Sequence, residues 1–253
     1  MDKAFEGMNK REELDDKLFD LSLDISKEMI LSKKYMPSFM KDTREPFDIK
    51  GIGYTFFYND GKSSSCNRFF RFEEFEGEGI SVSFMIEYAI YLDYDIQHLY
   101  DLEHVFVYVA EDGNVCAVES SFHGKFFNSL LSCGQPLSFI DGVRPVLYMQ
   151  PGKHALMPDP KLFELFPHYK TSCNNLAGSD GLLIPDFLEG EIRKETDTDE
   201  KVKAYIASKY AFTPSFEFES YDPGEDVLMP WKELRNTIVT RINNILEMIN
   251  SQG

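Results

Sequence analysis

Residues 80–92 read Ile80-Ser81-Val82-Ser83-Phe84-Met85-Ile86-Glu87-Tyr88-Ala89-Ile90-Tyr91-Leu92. Apolar side chains fall at Ile80, Val82, Phe84, Ile86, Tyr88, Ile90 and Leu92. This two-residue period places all seven on one face of a long β-strand. The same rhythm recurs on either side. Ile52, Tyr54, Phe56 and Tyr58 alternate before Asn59-Asp60-Gly61, a turn signal. His104–Ala110 is apolar and β-prone, Glu111-Asp112-Gly113-Asn114 turns the chain, and Val115–Phe122 returns, so 104–122 reads as a hairpin. Arg144–Gln150 is a further strand, ended by Pro151-Gly152.

Toward both ends the period changes to that of a helix. Leu14, Leu18, Leu21, Ile25 and Met29 form one apolar stripe, which predicts a helix over 9–35, capped at Asn9 with Glu12 three residues on and stopped by Pro37. Trp231, Leu234, Ile238, Ile242, Ile245 and Ile249 predict a second helix over 231–250, with Pro230 at its start. Between them, 160–166 reads as a short helix, 170–196 as a long loop and 198–210 as a helix capped by Thr198 or Asp199. No internal repeat and no long polar linker divides the 253 residues. The expected fold is therefore one mainly β, α+β domain over 1–253. Its antiparallel core spans about 47–157, with flanking helices at the N- and C-termini.

Composition narrows the function. Lys and Arg total 26 against 43 Asp and Glu, a net charge of −17, and no local basic patch offsets it. Such a surface repels phosphate backbones and anionic headgroups, which argues against nucleic acid as a partner. No apolar run is long enough to predict a transmembrane segment, and the start of the chain lacks the apolar stretch of a secretion signal. Cys66, Cys116, Cys133 and Cys173 form no CxxC pair and read as free thiols of a reducing compartment, so the expected location is cytoplasmic.

One stretch concentrates chemistry. Asp93, Asp95, Asp101 and Glu103 place four carboxylates within eleven positions, together with His98 and His104. Packed together these charges repel, so either they splay into solvent or a cation holds them. The stretch is expected as a loop linking the strand 80–92 to the one starting near His104, at a sheet rim where binding groups tend to sit. Asp101 and Glu103, two apart, face one side of an extended chain. Carboxylate oxygens with one imidazole suit Mg²⁺, Ca²⁺ or Mn²⁺, and Zn²⁺ if more histidines join. His123 and His154 each stand at a strand end beside a glycine, a position more often held by a hydrogen-bonded structural histidine than by a ligand, although it allows both to converge with the acidic loop. No G-x-S-x-G, P-loop, H-E-x-x-H or G-x-G-x-x-G pattern occurs.

Three blocks in this region resemble the necrosis- and ethylene-inducing-protein-like family and, more distantly, the vacuolar-sorting-associated proteins that share its blocks. Tyr88-Ala89-Ile90-Tyr91 followed by Gln97-His98-Leu99-Tyr100-Asp101-Leu102-Glu103-His104-Val105 is similar to the family's Y-A-W-Y segment and its G-H-R-H-D-W-E heptapeptide. Val118–Gly124 resembles its V-x-x-S-x-H-G strand, and Arg144–Tyr148 with Gly152–Leu156 its H-P-x-V-x-Y and T-H-A-L segments. The resemblance covers about residues 80–157. It implies a β-sandwich and a divalent ion held in a rim pocket by His98, Asp101 and Glu103, with Asp95 as the upstream ligand. His123, His154, Tyr100 and His104 fall around that pocket. Gln97, Leu99, Tyr100 and Leu102 depart from the heptapeptide, and the secretion signal and disulfide framework typical of the family are not evident while helices are added at both ends, so the resemblance implies the metal pocket but not cytolysis. The leading reading is a soluble divalent-metal-binding β-sandwich protein whose ion positions a small polar ligand, a sugar or a headgroup. The rivals are a metal-dependent hydrolase, with His123 or Glu103 as base to an ion-bound water, and a metal-free interaction module built on the two terminal helices.

Overall fold

The computed structural model describes residues 23–77, 79–129 and 137–251. The first part of the expected N-terminal helix and Cys133 lie outside them. Residues 23–35 are helical (α1) and Pro37 follows, as the sequence predicts. In chain order come β1 (Ser38–Asp42), β2 (Ile49–Phe57), β3 (Gly61–Lys62), β4 (Phe69–Phe70), β5 (Val82–Tyr94), β6 (His98–Ala110), β7 (Val115–Phe122), β8 (Lys125–Asn128), β9 (Phe139–Ile140), β10 (Arg144–Met149) and β11 (Leu156–Met157). They are followed by α2 (Ser172–Asn175), β12 (Gly181–Leu182), α3 (Thr198–Lys209), β13 (Phe218–Tyr221), β14 (Leu228–Pro230) and α4 (Trp231–Ser251).

The strands form a sandwich. One sheet runs β14-β2-β5-β6-β7-β8 with β12 added beside β6. The other runs β11-β10-β1-β13 with β9 on β10. Most pairs are antiparallel; β1–β10, β12–β6 and β14–β2 are parallel. The strand read from 80–92 is β5, and its even-numbered side chains face inward as the alternation requires. Ile86, Tyr88, Ile90 and Leu92 share one core cluster with Phe39 of β1 and Leu147 of β10. The Tyr88 hydroxyl donates to the Ser32 carbonyl of α1 at 2.7 Å.

The odd-numbered face of β5 is buried too. Its first half lies under the segment joining β2 to β5, where Met85 packs with Phe70 and Phe72. Its second half lies beside α4, where Arg241 reaches Asp93. Helix α4 approaches β2 closely because Gly51 and Gly53 present no side chain there. A Cβ on Gly51 would stand 2.2 Å from Leu234 Cδ1. The buried stripe of α4 is Trp231, Leu234, Ile238, Ile242, Leu246 and Ile249, so Leu246 takes the buried place the periodicity gave to Ile245. The stretch 170–196, expected as loop, contributes α2, β12 and a 3-10 turn at Asp186–Leu188. Backbone pairing of Gly181 with His98 and Leu182 with Leu99 gives it order that local sequence does not signal. Among the described residues, Cys66, Cys116 and Cys173 are free thiols, and no helix is long and apolar enough to cross a membrane.

Candidate functional site

The acidic stretch is mostly strand rather than the expected rim loop. β5 continues to Tyr94 and β6 begins at His98, so only Asp95-Ile96-Gln97 turns. The turn is pinned by the Asp95 amide donating to the His98 carbonyl at 3.0 Å and by the Gln97 amide donating to Asp95 Oδ1 at 2.6 Å. Cross-strand partners Leu92↔Asp101 and Ile90↔Glu103 place both carboxylates on the inward face, as their spacing implies.

An extended, largely buried chain can carry four carboxylates here because each meets a different partner. Asp93 takes a two-pronged bond from Arg241, 2.8 Å at Nε and 2.7 Å at Nη2, and a further bond from the Tyr91 hydroxyl. Asp95, 1% exposed, receives Lys153 Nζ at 2.8 Å. Asp101 Oδ2 lies 2.8 Å from His154 Nδ1, while its Oδ1 accepts the Leu102 amide. Glu103 accepts a hydrogen bond from the Ser121 hydroxyl. Burial, then the neighbouring Asp101 charge, raises the Glu103 carboxyl well above the usual range.

His154 is fully buried, and its Nε2 sits 3.6 Å from Glu45 Oε1, beyond hydrogen-bond reach but within an ion pair. Burial alone would lower its pKa. The two carboxylates override that and hold it up at about 10, so the ring is an imidazolium. His123 Nε2 donates to Gln150 Oε1 at 3.0 Å; burial and the Lys153 charge lower its pKa. Its side is a separate, smaller cavity of about 260 Å³ shared with Lys153 and Phe166. His98 Nε2 lies 3.8 Å from Asp95 Oδ1. Tyr100, His123 and His154 all hold left-handed backbone, with φ of 58°, 49° and 55°. Such conformations cost about 1–3 kcal/mol each in non-glycine residues and gather at functional sites.

His98, Tyr100, Asp101 and His104 line a cavity of about 710 Å³, whose other walls are Lys62–Asn67 and Pro185–Phe187. Behind this wall lies a cluster that sequence reasoning passed over. Glu87, 1% exposed, accepts from the hydroxyls of Ser63 (2.5 Å) and Ser65, and Cys66 Sγ stands 3.9 Å from its Oε1. His104 Nε2 lies 2.9 Å from Ser65 Oγ. Among the described residues, the one set of three His, Cys, Asp or Glu ligand atoms within 4.8 Å of one another is Cys66, Glu87 and His104. Asp95, His98, Asp101 and Glu103 are instead divided among the partners above. The missed signal was Glu87 itself, a lone charge in an apolar strand; only the even-numbered face of that strand was read.

No family model matches the chain, and no curated protein matches it. Two similar solved structures are NLPPya in complex with glucosamine and a mutant of NLPPya. The first has a TM-score of 0.32 and 17% identity over 50% of this chain. The second has a TM-score of 0.30 and 16% identity over 51% of this chain. This chain spans 64% of the first of those chains and 70% of the second. NLPPya is a necrosis- and ethylene-inducing-like protein, of the family the three sequence blocks resemble; at these TM-scores the likeness carries no argument about what this chain does.

Proposed function

We propose that the protein binds a small hydroxyl-rich molecule, a monosaccharide or an amino sugar, in the cavity between β6, the Lys62–Asn67 loop and Pro185–Phe187. The observation that carries this is the mixed chemistry of the wall. Its volume of about 710 Å³ suits a small ligand. Asp186 offers a carboxylate, Ser64 and Asn67 a hydroxyl and an amide, and Tyr100 and Phe187 aromatic surface for the C–H face of a pyranose ring. The carboxylate favours a ligand carrying an ammonium. Glucosamine, the ligand of one NLPPya structure, is therefore a suitable probe beside neutral glucose.

Calorimetric titration with both sugars tests the reading. Saturable binding of glucosamine is expected, weakened by Asp186→Asn and by Asn67→Ala. These two residues sit on the wall outside the buried ion pairs, so the fold tolerates their loss. No saturable heat with any monosaccharide or amino sugar would sink the proposal.

A divalent ion on Asp95, His98, Asp101 and Glu103 is a second reading, favoured by the approach of His98 to Asp95. Such an ion would have to displace Lys153 from Asp95 and compete with the His154 imidazolium for Asp101.

A further inference from the structure

The Cys66–Glu87–His104 cluster stands apart from the acidic turn, on the opposite face of the same strands. The β5–β6 register pairs Glu87 with Phe106 and Ala89 with His104. Residues two apart share a face, so Glu87 and His104 project together from the side that the β2–β5 segment covers. That segment brings Cys66 over them. Ser63 Oγ accepts the amides of Ser65 and Cys66, each at 3.0 Å, which fixes the thiol's position, while the Ser63 and Ser65 hydroxyls tie the loop to Glu87.

A second, independent observation points to a ligand. Glu87 Oε2 is buried and has no hydrogen-bond partner, although Oε1 of the same carboxyl is crowded. A buried polar atom left unpaired costs about 1–3 kcal/mol. Oε2 is therefore a buried carboxyl oxygen with an open position.

We propose that Cys66, Glu87 and His104 are three ligands of a zinc-class divalent ion, with a fourth coordination position open to the cavity. A thiolate, an imidazole and a carboxylate oxygen are the donor set of zinc; magnesium and calcium take oxygen ligands almost exclusively. Tetrahedral Zn²⁺ sits about 2.0–2.3 Å from such atoms. The three ligand atoms already lie within 4.8 Å of one another, and the ion draws them together. Ser65 Oγ, which stands between His104 Nε2 and Glu87 Oε1, gives way as the ion binds and frees the imidazole nitrogen to coordinate. Binding takes the Cys66 thiol proton off to solvent. Cys66 and His104 line the cavity while Glu87 sits behind them, so the open position faces the space assigned to the sugar. The site stands on its own observations: it survives if the sugar proposal fails.

Cobalt(II) is the probe, because a cysteine thiolate bound to it gives an intense near-ultraviolet charge-transfer band. Chelator-treated protein is titrated with Co²⁺ under reducing, thiol-free conditions. The expected result is a band that saturates at one equivalent, is displaced by Zn²⁺ but not by excess Mg²⁺, and disappears in Cys66→Ala. Cys116→Ala, Cys133→Ala and Cys173→Ala retain it. Cys66 is half-buried on the cavity wall, so its truncation leaves the fold intact even if Glu87→Gln does not. Absence of the band in the wild type, its survival in Cys66→Ala or its displacement by Mg²⁺ overturns the proposal.

Discussion

Lys153 Nζ straddles the Asp95 carboxylate, 2.9 Å from Oδ1 and 2.8 Å from Oδ2. A side-chain ammonium thus supplies the positive charge that the acidic turn calls for.

Truncating the lysine leaves Asp95 buried without its cation. Losing one partner of a buried ion pair typically costs about 3–5 kcal/mol. Lys153→Ala is expected to lower the melting temperature, and millimolar Ca²⁺ or Mg²⁺ to restore part of the loss in the variant while leaving the wild type nearly unmoved. Equal metal responses in both proteins would show that Lys153 does not occupy the place of an ion.

The His154 imidazolium links stability to pH. Its pKa rises from 6.5 in the unfolded chain to about 10 in the fold. A raised pKa stabilises the folded state fully below the unfolded value, and the contribution is lost as pH climbs through the folded one. The melting temperature of the wild type should therefore fall between about pH 6.5 and pH 10 more steeply than that of His154→Gln. Parallel curves across this window would show that the ring is neutral in the fold.

The seat of α4 on β2 depends on missing side chains. Gly51→Ala drives a methyl group into Leu234, and overpacking of this kind costs about 1–3 kcal/mol. Leu234→Ala alone leaves a cavity at a cost of about 2–5 kcal/mol. The double substitution should cost less than the sum, because the new methyl fills part of the space Leu234 vacates. Urea unfolding of the three variants measures this, and strict additivity would refute the contact.

Arg241 and Asp93 join α4 to the end of β5 through two parallel bonds. Arg241 is partly exposed, so the pair is expected to couple by about 1 kcal/mol or less in a double-mutant cycle of Asp93→Asn with Arg241→Met. A coupling indistinguishable from zero would assign the docking of α4 to its apolar stripe alone.

The central strands and α4 were legible because each carries its period over many residues: β5 over Val82–Leu92, α4 from Trp231 to Ile249. The short strands β1, β13 and β14 were not. Three to five residues show no period, and what orders them is pairing with chain far away, as Ser38–Met40 pairs with Val146–Tyr148. The acidic stretch was found by composition, but its partners Arg241, Lys153 and His154 come from 50 to 150 residues away, beyond the reach of local reading. The grouping of Cys66 with Glu87 went unnoticed for the same reason. A serine-rich loop and one glutamate, 21 positions apart, acquire meaning only when the loop folds over the strand.

The burial of β5 on both faces sets what substitutions it will accept. Every side chain from Met85 to Leu92 is at most 1% exposed. In a saturation library, an ordinary sandwich strand with one wet face tolerates polar residues at alternate positions. β5 has no such permissive set over 85–92, so its mutational profile should be uniformly intolerant there, while α4 keeps its three-to-four-residue rhythm of tolerated positions. A chain diverging from a common ancestor would conserve this strand as a block, Glu87 included, long after its surface had changed beyond recognition.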